Sequence, residues 1–387
     1  MRVAFWLQHL LGIGHVRRGW LLCQAMQQAG LTPVVLYGGF PVPQIDWSGI
    51  EIRYLPPLKA ADTSFSSHIS ASGKVITADW LEARTRQALL AFDSARPDAL
   101  LTESYPFGRG VLRAEVTALL NRAGDMGIPR ICSIRDILVA ESRPGKHAKM
   151  AARANAGYDH ILVHGDAAVI PFSASFSAYD QLQVPVTHTG YIAPALPQHQ
   201  PTSSTGDDGR DEIIVSAGGG AFGSGLMRAA RQAADHVTSH RWRLLMGPNL
   251  PEQTKQDLRA DLPDHVIVED ARADFPSLLP HCALSISQGG YNTTLDVLSA
   301  RCRALLIPNE DDGQTEQITR ARLLQTSGHV HLMQESALTP DALAQRVLQV
   351  LGAPPPTVQP PRLDGADQSA KYISQIIRAF SSWVDPL

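Results

Sequence analysis

The sequence predicts an α/β protein built from two doubly wound parallel-sheet domains. Three observations carry the prediction. Apolar runs of strand length alternate with segments of helical periodicity through both halves of the 387 residues, as βαβ units require. A glycine-containing turn follows the first strand of each half, at Gly12-Ile-Gly14 and at Gly218-Gly-Gly220. Between the halves lies a polar stretch rich in Pro, Ser and Gly, residues 194–210, a composition typical of linkers.

The elements follow in order. Residues 2–8 read as a buried opening strand. After the turn, Val16, Leu21, Leu22, Ala25, Met26 and Ala29 recur at helical spacing. Strands are expected at 33–37 and 50–55, and a helix over 78–95 with Leu81, Ala88, Leu89 and Phe92 on one face. A strand at 98–102, a helix over 110–123, and strands at 128–134 and 160–163 complete the first half. In the second half, strands are expected at 212–216, 242–246, 265–268, 283–287 and 304–307, with helices between them. A proline-rich stretch at 354–361 precedes a terminal helix over 365–383, expected to pack back on the first domain. The domain boundaries are therefore 1–195, a linker at 196–211, 212–360, and the returning segment 361–387.

Composition excludes several classes. Hydrophobic residues make up 44% of the chain, enough for a core in each domain, and the 18% charged fraction nets to −3. That balance argues against nucleic acid as a partner. Cys23, Cys132, Cys282 and Cys302 are scattered and form no C-x-x-C pair, which fits a reducing cytoplasm and argues against structural zinc. The chain enters a strand without a basic-then-apolar leader, and no apolar run reaches the roughly 18–20 residues of a membrane span. The expectation is a cytoplasmic protein with no transmembrane segment and no metal. Peripheral membrane contact and a homodimer stay open.

Four constellations could carry chemistry. The loop of 218–225, with Gly218, Gly219 and Gly220, follows a strand, so its backbone can approach a phosphate closely. The alternative is a glycine-rich connector. Ser287-Gln-Gly289-Gly290-Tyr-Asn292-Thr293 is a strand end, a turn and a helix start, with Asp296 one turn further on. It suits a phosphate at the helix N-terminus and sugar hydroxyls at Asp296. Alternatively, Asn292 or Thr293 caps the helix and Asp296 serves its dipole. Glu316 and Gln317 open a helix after a polar loop, as hydroxyl ligands or as ordinary helix-start residues. Finally, His15 follows the first strand and Glu103 ends a later one, at the same carboxyl edge of a parallel sheet. A carboxylate beside an imidazole fixes its tautomer and is expected to raise its pKa, giving a general base; the alternative is a turn histidine bonded to backbone. Arg17 and Arg18 are solvated or meet an acidic acceptor, and Arg135-Asp136 and His164-Gly-Asp166 are candidates for the acceptor side.

Together these residues resemble the nucleotide-sugar glycosyltransferases of the GT-B fold, with two Rossmann-like domains facing a central cleft, and among them the family 28 enzymes related to MurG. The most specific part spans 283–328: strand, Ser-x-Gly-Gly, an acidic helix residue, Ala-Leu-Leu-Ile-Pro308, then Glu316-Gln317. Gly12-Ile-Gly14-His15 matches the acceptor-side loop of the family, and residues 218–221 its second glycine loop.

The resemblance implies an acceptor-binding first domain and a nucleotide-binding second domain. Asp296 falls where a carboxylate holds the ribose, and the backbone near Arg272 where the base is read. Glu316 and Gln317 fall on the donor sugar, and His15 on the base that deprotonates the acceptor. Relatives often carry two glutamines where this chain has Glu316-Gln317. The chain has neither a D-x-D motif nor the E-x7-E spacing of one large retaining group. The expected activity is inverting, metal-independent transfer from a nucleotide diphosphate sugar, UDP-linked in preference to dTDP or GDP, with no cofactor besides that co-substrate. Because Gly-x-Gly-His-Val-Arg-Arg18 also resembles the loop of a nucleotide-sugar hydrolase, hydrolysis is the alternative. An epimerase fits less well, and so does an inactive sugar-nucleotide-binding protein.

Overall fold

The computed structural model of the chain describes residues 1–10, 14–61, 67–138, 145–193, 209–217, 223–310 and 315–384. The chain divides into two compact units, Met1–Ala193 with Arg362–Leu387, and Pro194–Pro361. Residues 196–208 of the linker expected at 196–211, and the glycines Gly12, Gly218, Gly219 and Gly220, lie outside the described residues.

The first unit runs β1 (Arg2–Leu7), α1 (Gly14–Gln28), β2 (Thr32–Tyr37), β3 (Glu51–Tyr54), an antiparallel hairpin β4 (Leu58–Ala60) and β5 (His68–Ser70), and α2 (Ala78–Ala95). It continues with β6 (Ala99–Glu103), α3 (Arg113–Asp125), β7 (Arg130–Arg135), α4 (Lys146–Gly157), β8 (His160–His164) and β9 (Val186–His188). Seven strands pair in parallel in the order β3-β2-β1-β6-β7-β8-β9. The chain winds outward from β1 to β3, then restarts at β6 on the other side of β1. In such sheets ligands bind outside the strand carboxyl ends at the point of reversal, here between β1 and β6.

Alternate residues of a strand face opposite sides of the sheet, and the core divides accordingly. Ala4, Trp6, Leu100, Cys132 and Val163 pack against Ala88 and Phe92 of α2 and Val116 and Leu119 of α3. Val3, Phe5, Leu7, Leu101 and Leu162 pack on the other face, against Val16, Leu22 and Met26 of α1.

The second unit repeats the scheme: β10 (Ile213–Ser216), α5 (Ser224–Ala233), β11 (Trp242–Met246), α6 (Glu252–Arg259), β12 (Val266–Asp270), α7 (Phe275–Leu278), β13 (Leu284–Ser287), α8 (Tyr291–Ala300), β14 (Ala304–Leu306), α9 (Thr315–Thr326), β15 (His331–Leu332) and α10 (Pro340–Gly352). Its parallel order is β12-β11-β10-β13-β14-β15, with the reversal between β10 and β13. The expected nucleotide segments at 218–220 and 287–290 follow those two strands. The last helix, α11 (Gly365–Val384), belongs to the first unit. Its Ala370, Ile373, Ile376 and Ile377 join the α1 face of the core.

The elements the sequence did not single out are α4, the β4–β5 hairpin, and the edge strands β9 and β15, of three and two half-buried residues. The expected helix at 110–123 opens with a 3-10 turn at Gly110–Leu112 before α3. No described helix is long and apolar enough to cross a membrane.

Candidate active site

In the first unit the register Trp6↔Thr102 brings the ends of β1 and β6 side by side. β1 leads through a turn into α1, which carries His15 on its first turn, and β6 ends at Glu103. The two side chains meet, with His15 Nδ1 2.6 Å from Glu103 Oε1. Glu103 is 1% exposed, while His15 keeps 19%. An ionised carboxylate only accepts hydrogen bonds, so Nδ1 carries the ring proton and Nε2 keeps its lone pair.

Glu103 has further partners that the sequence reading did not assign to it. Arg18, one turn beyond His15 and 4% exposed, donates from Nη2 to the same Oε1. The Ser104 hydroxyl also donates to Oε1, at 2.7 Å. Arg109 approaches Oε2 from Nη2 at 3.4 Å and donates from Nε to the Gln8 carbonyl at 2.7 Å, tying the end of β1 to the segment after β6. Ser104 and Arg109 both adopt left-handed backbone, φ 66° and 60°, a conformation that costs a non-glycine residue about 1–3 kcal/mol and concentrates at functional sites. Arg18 is thus neither solvated nor turned toward an acceptor. The available signal was its i,i+3 spacing from His15, which puts both on one helix face.

The electrostatics correct one expectation. Burial alone would raise Glu103, but the hydrogen bond from His15 and the charges of Arg109 and Arg18 outweigh it and hold the carboxyl well below the usual range. His15 does not rise. Burial pushes it down to about 4, with Arg109 and Arg18 adding to the fall against the pull of Glu103. The ring beside Glu103 is therefore neutral at pH 7.

Behind this pair His164 is fully buried at the end of β8. Its Nε2 lies 2.7 Å from Ser133 Oγ, and its Nδ1 lies 3.0 Å from Thr189 Oγ1 and 3.3 Å from Ser369 Oγ of α11. His164 therefore lines no surface. Asp166 accepts from the Arg362 amide at 3.0 Å, pinning the returning chain. Asp136 is buried as well, while Arg135 is half-buried.

In the second unit Ser287 is buried at the end of β13, Gly289 takes φ +73°, and Gly290 occupies the N-cap position of α8. Gly289 needs this freedom because the chain turns there against Leu306. No side chain caps α8, so neither Asn292 nor Thr293 plays the capping role. Both lie in the first turn, half-buried, and Asp296 is buried one turn on. The Ser287 and Thr294 hydroxyls are buried without a hydrogen-bond partner.

At the start of α9 Glu316 Oε1 accepts from Arg320 Nη2 at 2.7 Å, and the Arg320 guanidinium sits 5.1 Å from the Tyr291 ring centre. That buried arginine ties the start of α9 to the start of α8, and its signal was the i,i+4 spacing to Glu316. Gln317 is half-buried beside Glu316. The Arg272 side chain forks onto Asp274, Nε–Oδ1 2.8 Å and Nη2–Oδ2 2.7 Å, and its Nη1 lies 3.5 Å from Glu269 Oε1 of β12.

Residues 214–370 match the glycosyltransferase family 28 C-terminal domain. No curated protein sequence matches the chain. Solved structures share its fold end to end. The calicheamicin glycosyltransferase CalG4 is 15% identical with a TM-score of 0.61, over 98% of this chain and 95% of that one. MurG of Acinetobacter baumannii is 14% identical with a TM-score of 0.60, over 98% and 99%. The glycosyltransferase VinC, solved with dTDP, is 14% identical with a TM-score of 0.59, over 99% and 96%. Residues 214–370 thus match a family 28 C-terminal domain, and with a parallel, doubly wound sheet in each unit the chain has the GT-B fold of these solved glycosyltransferases.

Proposed function

We propose that this glycosyltransferase moves a sugar, with inversion, from a nucleotide diphosphate sugar to an acceptor hydroxyl. The observation that carries the reading is the 2.6 Å contact of His15 Nδ1 with an ionised, buried Glu103. Glu103 holds the ring in one tautomer and leaves Nε2 as the base. Nε2 takes the acceptor proton while the acceptor oxygen attacks the anomeric carbon. The bond from that carbon to the diphosphate oxygen breaks on the opposite face, and the nucleoside diphosphate leaves. A positioned base of this kind contributes about 10²–10⁴-fold.

The second unit supplies the donor site. The N–H groups of the first turn of α8, which no side chain caps, take the diphosphate, and Gly218, Gly219 and Gly220 are its further expected ligands from the sequence. They stabilise the leaving charge electrostatically, in place of a metal ion. Asp296 takes the ribose hydroxyls, the backbone at Arg272 the base, and Glu316 with Gln317 the donor sugar. The dTDP bound in the VinC structure supports a nucleoside diphosphate ligand, and UDP is the preferred form. Hydrolysis would use the same His15 to orient water, but the family 28 match favours transfer.

The test is nucleoside diphosphate release from a panel of nucleotide sugars with no acceptor, for the native chain and His15→Ala. Transfer predicts negligible release while UDP raises the melting temperature. Fast release from one sugar, lost in His15→Ala, would make the protein a hydrolase.

A further inference from the structure

We propose that Arg18 and Arg109 are positioning residues for the reaction: they share the Glu103 carboxylate with His15, so that the imidazole is oriented by Glu103 yet stays neutral and free to accept a proton. The inference rests on the reading of His15 as the base.

A single buried carboxylate against an imidazole would draw a proton onto the ring and hold it there as an ion pair. A histidine in that state is no base at neutral pH. Here Oε1 takes three donors at once, His15 Nδ1 at 2.6 Å, the Ser104 hydroxyl at 2.7 Å and Arg18 Nη2, and Oε2 takes Arg109 at 3.4 Å. Two fixed guanidinium charges therefore face one carboxylate before His15 gains any. A proton on the ring would add a third cation to a region with a single anion.

The surrounding groups do not alter that balance. Among the described residues Glu103 is the one anion acting on the ring. From β7, Arg135 adds positive charge beside Arg109, and Cys132 is buried and protonated. His9, at the end of β1, and His164, at the end of β8, are both held neutral by burial. Arg18 is fixed by geometry as well as charge, since three residues of helix place it on the His15 face.

The experiment is a histidine-ring NMR titration of the full chain labelled with ¹³C-histidine, with the His15 resonance assigned by its loss in His15→Gln. The native ring is expected to titrate below the usual 6.5. In Arg18→Gln its pKa rises, because a like charge beside the imidazolium has been removed. In Arg109→Gln it rises at least as far, because the Arg109 charge weighs more on the ring than that of Arg18. Should Arg18→Gln fail to fold, Arg109→Gln reads the same effect at the more exposed arm. An unmoved His15 pKa in the folded variants overturns the proposal, and so does a native value at or above 6.5.

Activity separates this proposal from the reading beneath it. Full transfer activity in His15→Ala would end the base role while leaving the titration result standing. If the base role holds and the arginines act as proposed, the acid limb of kcat/KM moves upward in step with the His15 pKa.

Discussion

Among the histidines of the first unit, His9, His15 and His164 are folded into the places that most disfavour their protons. Burial takes His9 and His15 to about 4 and His164 to about 3, against 6.5 in an unfolded chain. Below 6.5 the unfolded state therefore binds protons that the folded state does not, and stability falls as pH falls. Their contribution is complete above pH 6.5 and is lost progressively toward pH 4, at up to about 1.4 kcal/mol per pH unit for each histidine. Glu103, held below the usual carboxylate range, adds a loss of the same sign once pH drops below about 4.5. Thermal melts of the full chain at pH 7.5, 6 and 5 should show a falling midpoint, with a shallower slope in His164→Gln than in the native protein. A midpoint independent of pH across that range would mean that these rings titrate alike in the folded and unfolded states.

At the scale of elements, the seat of α11 decides whether the first unit closes. The returning chain pairs with the segment after β9, where the Tyr191 amide donates to the Arg362 carbonyl at 2.7 Å and the Gly365 amide to the Tyr191 carbonyl at 2.9 Å. The approach is so close that a Cβ at Gly365 would stand 2.1 Å from the Gly190 carbonyl oxygen. Gly365→Ala should therefore push the start of α11 outward and cost about 1–3 kcal/mol, the usual cost of overpacking. The check is a lowered unfolding midpoint in denaturant with an unchanged second-unit transition, and an unaltered midpoint would show that the helix start yields without cost. The helix itself was legible in the sequence as the segment after a proline-rich stretch, and so were the two sheets, whose strands carry clear apolar runs. The edge strands β9 and β15 were not, because two or three half-buried residues make no pattern. The pairing of His15 with Glu103 was legible because both follow strands at one sheet edge. The burial of Arg18 was not, because an arginine in a first helical turn looks solvated until a carboxylate from 85 residues away fills its fork.

The described core residues of the two units are separate: the first unit has a cluster on each face of its sheet, α11 joining one of them, and the second unit has clusters of its own. Separate cores imply separate cooperative units. Calorimetry of the full chain should thus resolve two transitions. Each can be assigned by a change that touches only one unit. Glu103→Gln leaves Arg18 and Arg109 without their anion and should lower the first-unit transition, since breaking a buried ion pair costs about 3–5 kcal/mol. UDP should raise the other transition, because a ligand that binds only the folded state stabilises it by about 2.7 kcal/mol at a hundred times its Kd. The combination is decisive for the proposed division of labour. If UDP raised the Glu103-sensitive transition instead, the nucleotide would bind the first unit, and the reading of Asp296, Glu316 and the start of α8 as the donor site would fall. A shift confined to the second transition, unchanged in Glu103→Gln, would leave the base and the donor site on separate units, each held by its own core.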